Sequence, residues 1–180
     1  NGISAYAGYG RDFISHDLSA YLGDKFSGRY LSEFVRAEFS PTVPIFHLVG
    51  GLDKLRASEV NDNVWRDGRP NSLDQWIAQD GVYCLKVKLR GTDSDWDLQR
   101  TIEVYRIANE LLARQGQTQL HLSADTNEQC ESPDYIVDYL RRLKESEPRA
   151  YDALLYLEQP TERELTGHGD IGTHRYVGKG

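Results

Sequence analysis

Val82-Tyr83-Cys84-Leu85-Lys86-Val87-Lys88-Leu89 is the stretch that decides how the rest of the chain reads. It is a short apolar run enriched in β-formers, bounded by Gly81 before it and Gly91 after it, so it reads as a buried strand. Its two lysines sit two residues apart near the C-terminal end and therefore point to one face. Two later runs repeat the design. Residues 119–124 read as a second buried strand and lead into Asp125-Thr126-Asn127, and residues 153–157 lead into Glu158-Gln159-Pro160.

Amphipathic helices are expected between these strands. Residues 97–114 carry Leu98, Ile102, Tyr105, Ala108, Leu111 and Leu112 along one stripe, and Gly116 closes the segment. Ser132 with Pro133 opens a second helix, whose buried face is Ile136, Leu140 and Leu143. Ser72 opens a shorter one through Leu73, Trp76 and Ile77, ended by Gly81. Strand, helix, strand, helix, strand implies an α/β fold with a parallel sheet. Upstream the signals are weaker. Residues 21–39 have near-helical spacing at Tyr30, Phe34, Val35 and Glu38, residues 55–60 read as a short strand, and residues 43–51 read as the entry to a turn at Gly50-Gly51. That turn marks a domain junction near Gly51.

Composition narrows the function. The chain has 180 residues and a formal net charge of -7, with 39% hydrophobic and 27% charged residues. This suits one soluble domain of ordinary size and argues against nucleic acid as the main partner. No apolar run approaches the roughly 20 residues that span a bilayer, so no membrane partner is expected. Cys84 and Cys130 lack metal-ligand spacing and read as reduced thiols of a cytoplasmic protein. The histidines His16, His47, His121, His168 and His174 show no metal-binding spacing. The glycines from Gly167 onward do not form a nucleotide loop. Methionine is absent and the first residue is Asn1, so the chain is expected to be an internal piece of a longer protein.

The chemistry gathers at the strand ends. Asp125 and Glu158 both stand where an apolar strand gives out. Two neighbouring carboxylates repel unless a hard cation such as Mg²⁺ joins them. An amine beside another amine and a divalent cation has its pKa lowered, which suits a general base. Competing readings exist for each group: a solvated strand edge for Lys86 and Lys88, a turn or helix cap for Asp125, and an ion pair with Arg163 or another surface cation for Glu158. The charged residues of 93–100 read as the decoration of a solvated helix start.

The runs LKVKLRG (85–91), LSADTNE (122–128) and YLEQPTERE (156–164) together resemble successive barrel strands of the mandelate racemase/muconate lactonizing enzyme family, in the enolase superfamily. VPIFHLVGG (43–51) resembles that family's junction between capping domain and barrel. The resemblance implies part of a (β/α)8, TIM-like barrel over residues 51–165. It makes residues 1–50 the end of an N-terminal α+β capping domain with its linker, and leaves 166–180 as loop or disordered tail. It implies Mg²⁺ held by Asp125 and Glu158, Lys88 as the acid/base residue, Lys86 on the substrate carboxylate, and Asn127 near the metal or substrate. The implied activity is removal of the proton alpha to the carboxylate of a small molecule, leading to racemisation or epimerisation, cycloisomerisation, or loss of water. The family's third acidic ligand and its opposite-face base find no match here. The alternative is therefore a catalytically incomplete barrel fragment that binds or assembles. Unpaired strand edges invite association, so a homo-oligomer is expected. An open-sheet phosphate binder is a further alternative, but it lacks the glycine loop.

Overall fold

The computed structural model describes residues 2–36, 38–64 and 67–163. The chain divides into two compact units, Asn1–Val43 and Pro44–Gly180, so the division falls upstream of the junction expected at Gly51. The tail assigned to 166–180, with His168, Asp170 and His174, lies outside the described residues.

In the first unit, single helical turns replace the helix expected over 21–39. They are 3-10 turns at Ala5–Tyr9, Asp24–Phe26 and Leu31–Glu33, and the four-residue helix α1 (Ser19–Leu22). Gly23 and Gly28 take positive φ, at 90° and 75°, where a helix cannot continue. The Asp17 carboxylate accepts the amides of Ser19 at 3.0 Å and Gly28 at 2.6 Å, closing a loop across the segment. None of the described side chains in this unit is buried, so no tertiary packing supports a longer helix.

The second unit is a four-stranded parallel sheet of β1 (His47–Val49), β2 (Cys84–Lys88), β3 (His121–Asp125) and β4 (Leu154–Glu158), in the order β1-β2-β3-β4. The helices are α2 (Leu73–Asp80), α3 (Ser94–Arg114), α4 (Pro133–Ser146) and α5 (Pro148–Ala153). β1 lies inside the stretch read as a turn: His47, Leu48 and Val49 pair with Leu85, Lys86 and Val87. Three residues between a proline and a glycine pair are too few for a period to show, and only the neighbouring strand defines them. The strand expected at 55–60 is instead a 3-10 turn at Ala57–Glu59. Carboxylates have taken the amides a ladder would need, since Glu59 accepts from Arg56 and Asp74 from Ala57.

Alternation splits the sheet into two unlike faces. Leu85, Val87, Leu122 and Ala124 are fully buried and join one core with Ile77, Leu98, Ile102, Leu112, Tyr139 and Leu143 of the helices. Each leucine, isoleucine or valine among them contributes about 1.5–3 kcal/mol by leaving water. The opposite face carries Leu48, Lys86, Lys88, Ser123, Asp125, Tyr156 and Glu158. Phe46 and Tyr156, at opposite sides of the sheet, meet edge-on with ring centroids 5.7 Å apart. Cys84 and Cys130 are free and buried. Among the described residues, no helix is long and apolar enough to cross a membrane.

The turns after the strands interlock. Gly91, at φ 73°, follows β2, and a Cβ there would lie 2.9 Å from the Gln129 Cβ and 3.2 Å from the Cys130 backbone nitrogen. Gly91→Ala is therefore expected to lower stability by about 2–4 kcal/mol, through left-handed strain and overpacking together. Urea unfolding measures it. A loss under about 0.5 kcal/mol, the level of an ordinary surface substitution, would show that the two turns are not in close contact.

Candidate active site

Register brings the polar strand ends into line. Lys88 pairs with Asp125 across β2 and β3, and Asp125 pairs with Glu158 across β3 and β4. The last residues of three neighbouring strands thus form one row at the C-terminal edge of the sheet. One step down on the same face lies a second row of Leu48, Lys86, Ser123 and Tyr156.

The long lysine side chains close the two rows into a cluster. The Lys86 ammonium donates to Glu158 Oε2 at 2.6 Å and lies 2.9 Å from Asp125 Oδ2. It therefore bridges carboxylates on different strands. The Lys88 ammonium donates to the same Asp125 oxygen and to Asn127 Oδ1. Asp125 is only 1% exposed, whereas the two lysine side chains are about a quarter exposed. Lys88 is thus directed into the cluster and not into bulk solvent.

Two tendencies compete at Asp125. Burial raises its pKa, but hydrogen bonds from Lys88, Lys86 and the Asn127 amide together hold it below the ordinary carboxylate value. Lys86 is shifted upward, first by its hydrogen bond to Glu158 and then by that to Asp125. The two carboxylates thus hold Lys86 in its charged form against the cost of its partial burial.

The competing readings resolve residue by residue. Glu158 does pair with a cation, Lys86 at 2.6 Å, and not with Arg163, whose guanidinium pairs instead with Glu128 at 2.5 Å. Asp125 does serve a turn, since its Oδ1 accepts the Asn127 amide at 2.8 Å, while its other oxygen faces the lysines. Lys86 and Lys88 are not a solvated edge, because β2 lies between β1 and β3.

The loops behind the cluster are strained and cross-laced. Asn127, Glu128 and Gln159 all have positive φ without being glycine, at 51°, 66° and 43°. Each such residue costs about 1–3 kcal/mol and persists only where its surroundings hold it. Here the Glu128 amide donates to the Gln159 carbonyl at 2.8 Å, and the Gln159 side chain returns a bond to Glu128 at 3.0 Å. Thr126 Oγ1 also lies 3.1 Å from the carbonyls of both Gln159 and Pro160. Ser123 is fully buried beneath the cluster, and its hydroxyl has no hydrogen-bond partner among the described residues.

The helix start at 93–100 needs correction. Asp97 and Arg100 are buried, not solvated. Arg100 donates to the carbonyls of Gly50 at 2.6 Å and Asp53 at 2.9 Å, tying α3 to the turn after β1. The helical period could have found Asp97, because it continues through Thr101, Val104 and Ala108, all fully buried. Thr126 and Gln159 gave no comparable signal, since each finds its partners in the loop after the neighbouring strand.

As a cation site, the donor set is partial. Asp125 and Glu158 offer hard oxygen ligands on adjacent strands, as Mg²⁺ prefers, and Mg²⁺ commonly takes one or two carboxylates and keeps water. Among the described residues, no group of three His, Cys, Asp or Glu side chains gathers to hold a metal. The two carboxylates would supply two ligands of a Mg²⁺ shell, and here the Lys86 ammonium spans them. No family model, curated protein or solved structure matches the chain.

The charge on Asp125 has a pH signature. Unfolded, its carboxyl takes up a proton near 3.8; folded, it does so only at lower pH. That difference stabilises the fold above 3.8 and fades as the pH falls through the folded value. Asp125→Asn cannot titrate and is expected to be less stable by about 1–3 kcal/mol at pH 7, since Lys88 loses its only carboxylate among the described residues while Lys86 keeps Glu158. The gap should narrow as the pH falls below 3.8 in urea titrations. A gap independent of pH would mean that the carboxylate charge contributes nothing to the cluster.

Proposed function

We propose that this chain is part of a Mg²⁺-dependent enzyme of the mandelate racemase/muconate lactonizing type, in the enolase superfamily. It removes the proton alpha to the carboxylate of a small-molecule substrate. The observation that carries the reading is the single row of Lys88, Asp125 and Glu158 at the C-terminal strand ends, with Lys86 reaching up into it. Strand order without reversal among the described strands supports a (β/α)8 barrel over an open doubly wound sheet. Such a sheet would bind ligand where its order reverses, while a barrel binds at the strand ends.

Asp125 and Glu158 would hold Mg²⁺, which polarises the substrate carboxylate and stabilises charge that develops next to it. Lys88, as the free amine, takes the proton from the alpha carbon and becomes an ammonium within reach of Asp125 and Asn127. Lys86, kept charged by its two carboxylates, attracts and orients the substrate carboxylate. That local positive charge is needed because the chain as a whole carries -7. Racemisation or epimerisation, cycloisomerisation and loss of water all begin with this step. Buried free thiols suit a cytoplasmic protein. The outer strands β1 and β4, with no further strand partner among the described residues, suit a homo-oligomer. Those same edges and the count of two acidic ligands favour a second reading, a barrel piece that binds or assembles without turnover.

Exchange of the alpha proton for deuterium separates the two. With Mg²⁺ and a panel of 2-hydroxy and sugar acids, the intact protein is expected to exchange at least one substrate. Lys88→Ala should lower that rate by about 10²–10⁴-fold, the usual share of a positioned base. Unchanged exchange in Lys88→Ala would remove the lysine from its role, and no exchange across the panel would favour the binding module.

A further inference from the structure

Asp97 is a fully buried carboxylate in the first turn of α3. Its three donors come from two different places in the fold. The backbone amides of Arg90 and Gly91, in the turn after β2, donate to Oδ1 at 2.7 Å and to Oδ2 at 2.9 Å. The Tyr135 hydroxyl, on α4, donates to Oδ2 at 2.7 Å. Among the described residues it has no salt-bridge partner, so three uncharged donors are what hold this carboxyl group out of water. A buried charge is costly to keep unless its bonds are retained. The cost points to a requirement for geometry that a neutral side chain would not meet.

The requirement lies two residues upstream. Lys88 ends β2, the Leu89 amide still donates to the Asp125 carbonyl at 2.9 Å, and the next two amides are those held by Asp97. The same turn carries Gly91, seated against Gln129 and Cys130 in the loop that follows Asn127. Tyr135 closes the circuit on α4, which that loop leads into. One carboxylate thus ties the end of the Lys88 strand to the segment that supplies Asn127, and Lys88 donates to Asn127 across the gap.

We infer that Asp97 is a positioning residue for Lys88: by gripping the amides of Arg90 and Gly91 from α3, it sets where the lysine tip lies relative to Asp125 and Asn127. The inference rests on the reading of Lys88 as the base, and its main test does not depend on turnover. Asp97→Asn is nearly isosteric, yet its amide nitrogen must face the amide of Arg90 or of Gly91, so one turn bond is lost in either orientation. Tyr135→Phe removes only the hydroxyl and keeps both turn bonds.

The experiment is ¹⁵N spectroscopy of the lysine ammonium groups in the intact protein, beside thermal melting. In Asp97→Asn the Lys88 signal is expected to shift or be lost through faster exchange with water. The Lys86 signal, anchored by Glu158, should stay, and melting should remain cooperative. Tyr135→Phe should leave Lys88 in place. Where substrate exchange is measurable, Asp97→Asn should lower kcat by about 10²-fold with KM little changed, the effect of misplacing a reacting group by about 1 Å. An unmoved Lys88 signal in Asp97→Asn would overturn the inference and leave Asp97 as a helix-start anchor. If that variant does not fold, Asp97→Glu decides, because it keeps the charge and displaces the turn. A shifted Lys88 signal with Lys86 unmoved then supports positioning. Loss of both lysine signals, or failure of both variants to fold, overturns it in favour of a general scaffold role. If the wild type exchanges no substrate, the function reading fails while the lysine spectra still judge Asp97.

Discussion

A carboxylate almost out of contact with water, held by two ammonium groups on one oxygen and a backbone amide on the other, is the interaction on which this sheet end depends. Asp125 occupies the middle strand of the three that carry the cluster, so every partner must be delivered to it from a neighbour. Parallel pairing delivers them. Lys88 arrives directly opposite, Glu158 arrives on the other side, and Lys86 reaches up from the row below. A shift of one residue in any of these strands would turn the polar tips toward the helices and bring the core residues to the open face. The apolar set Leu85, Val87, Leu122 and Ala124 therefore fixes the position of the charges by the depth of its own burial.

The loops carry the second constraint. A cluster of two amines and two acids keeps a useful shape only if the strand ends cannot drift. Three left-handed non-glycine residues, the crossed bonds between Glu128 and Gln159, and the close seat of Gly91 leave the loops after β2, β3 and β4 little freedom. Strain of this kind at strand ends is what a site that positions reacting groups requires.

Much of this was legible in the sequence. The 3.6 period of residues 97–114 and the apolar runs ending in Lys88, Asp125 and Glu158 foretell α3, β2, β3 and β4 within a few residues, because burial on a regular element writes a period. What was not legible depends on partners far along the chain. β1 has three residues and is a strand only because β2 lies beside it. The helix read into residues 21–39 has the right spacing but no surface to bury against, so its glycines prevail. Charge misled the reading of 93–100: Asp97 and Arg100 look solvated by type, whereas their bonds to the backbone of other segments draw them inside. Asn127 and the two lysines could be named as a group, but the sharing of a single Asp125 oxygen is a fact of geometry alone.

We propose that these acids and amines form one site for a divalent cation and its anionic substrate. Mn²⁺, a paramagnetic substitute for Mg²⁺, tests it most directly through the broadening of nuclear resonances. Low Mn²⁺ is expected to broaden selectively the Lys86 and Lys88 ammonium signals and those of the Asp125, Glu158 and Asn127 side chains, and excess Mg²⁺ to restore them. Broadening scattered over the exposed acids of the helices, with these five residues untouched, would contradict it.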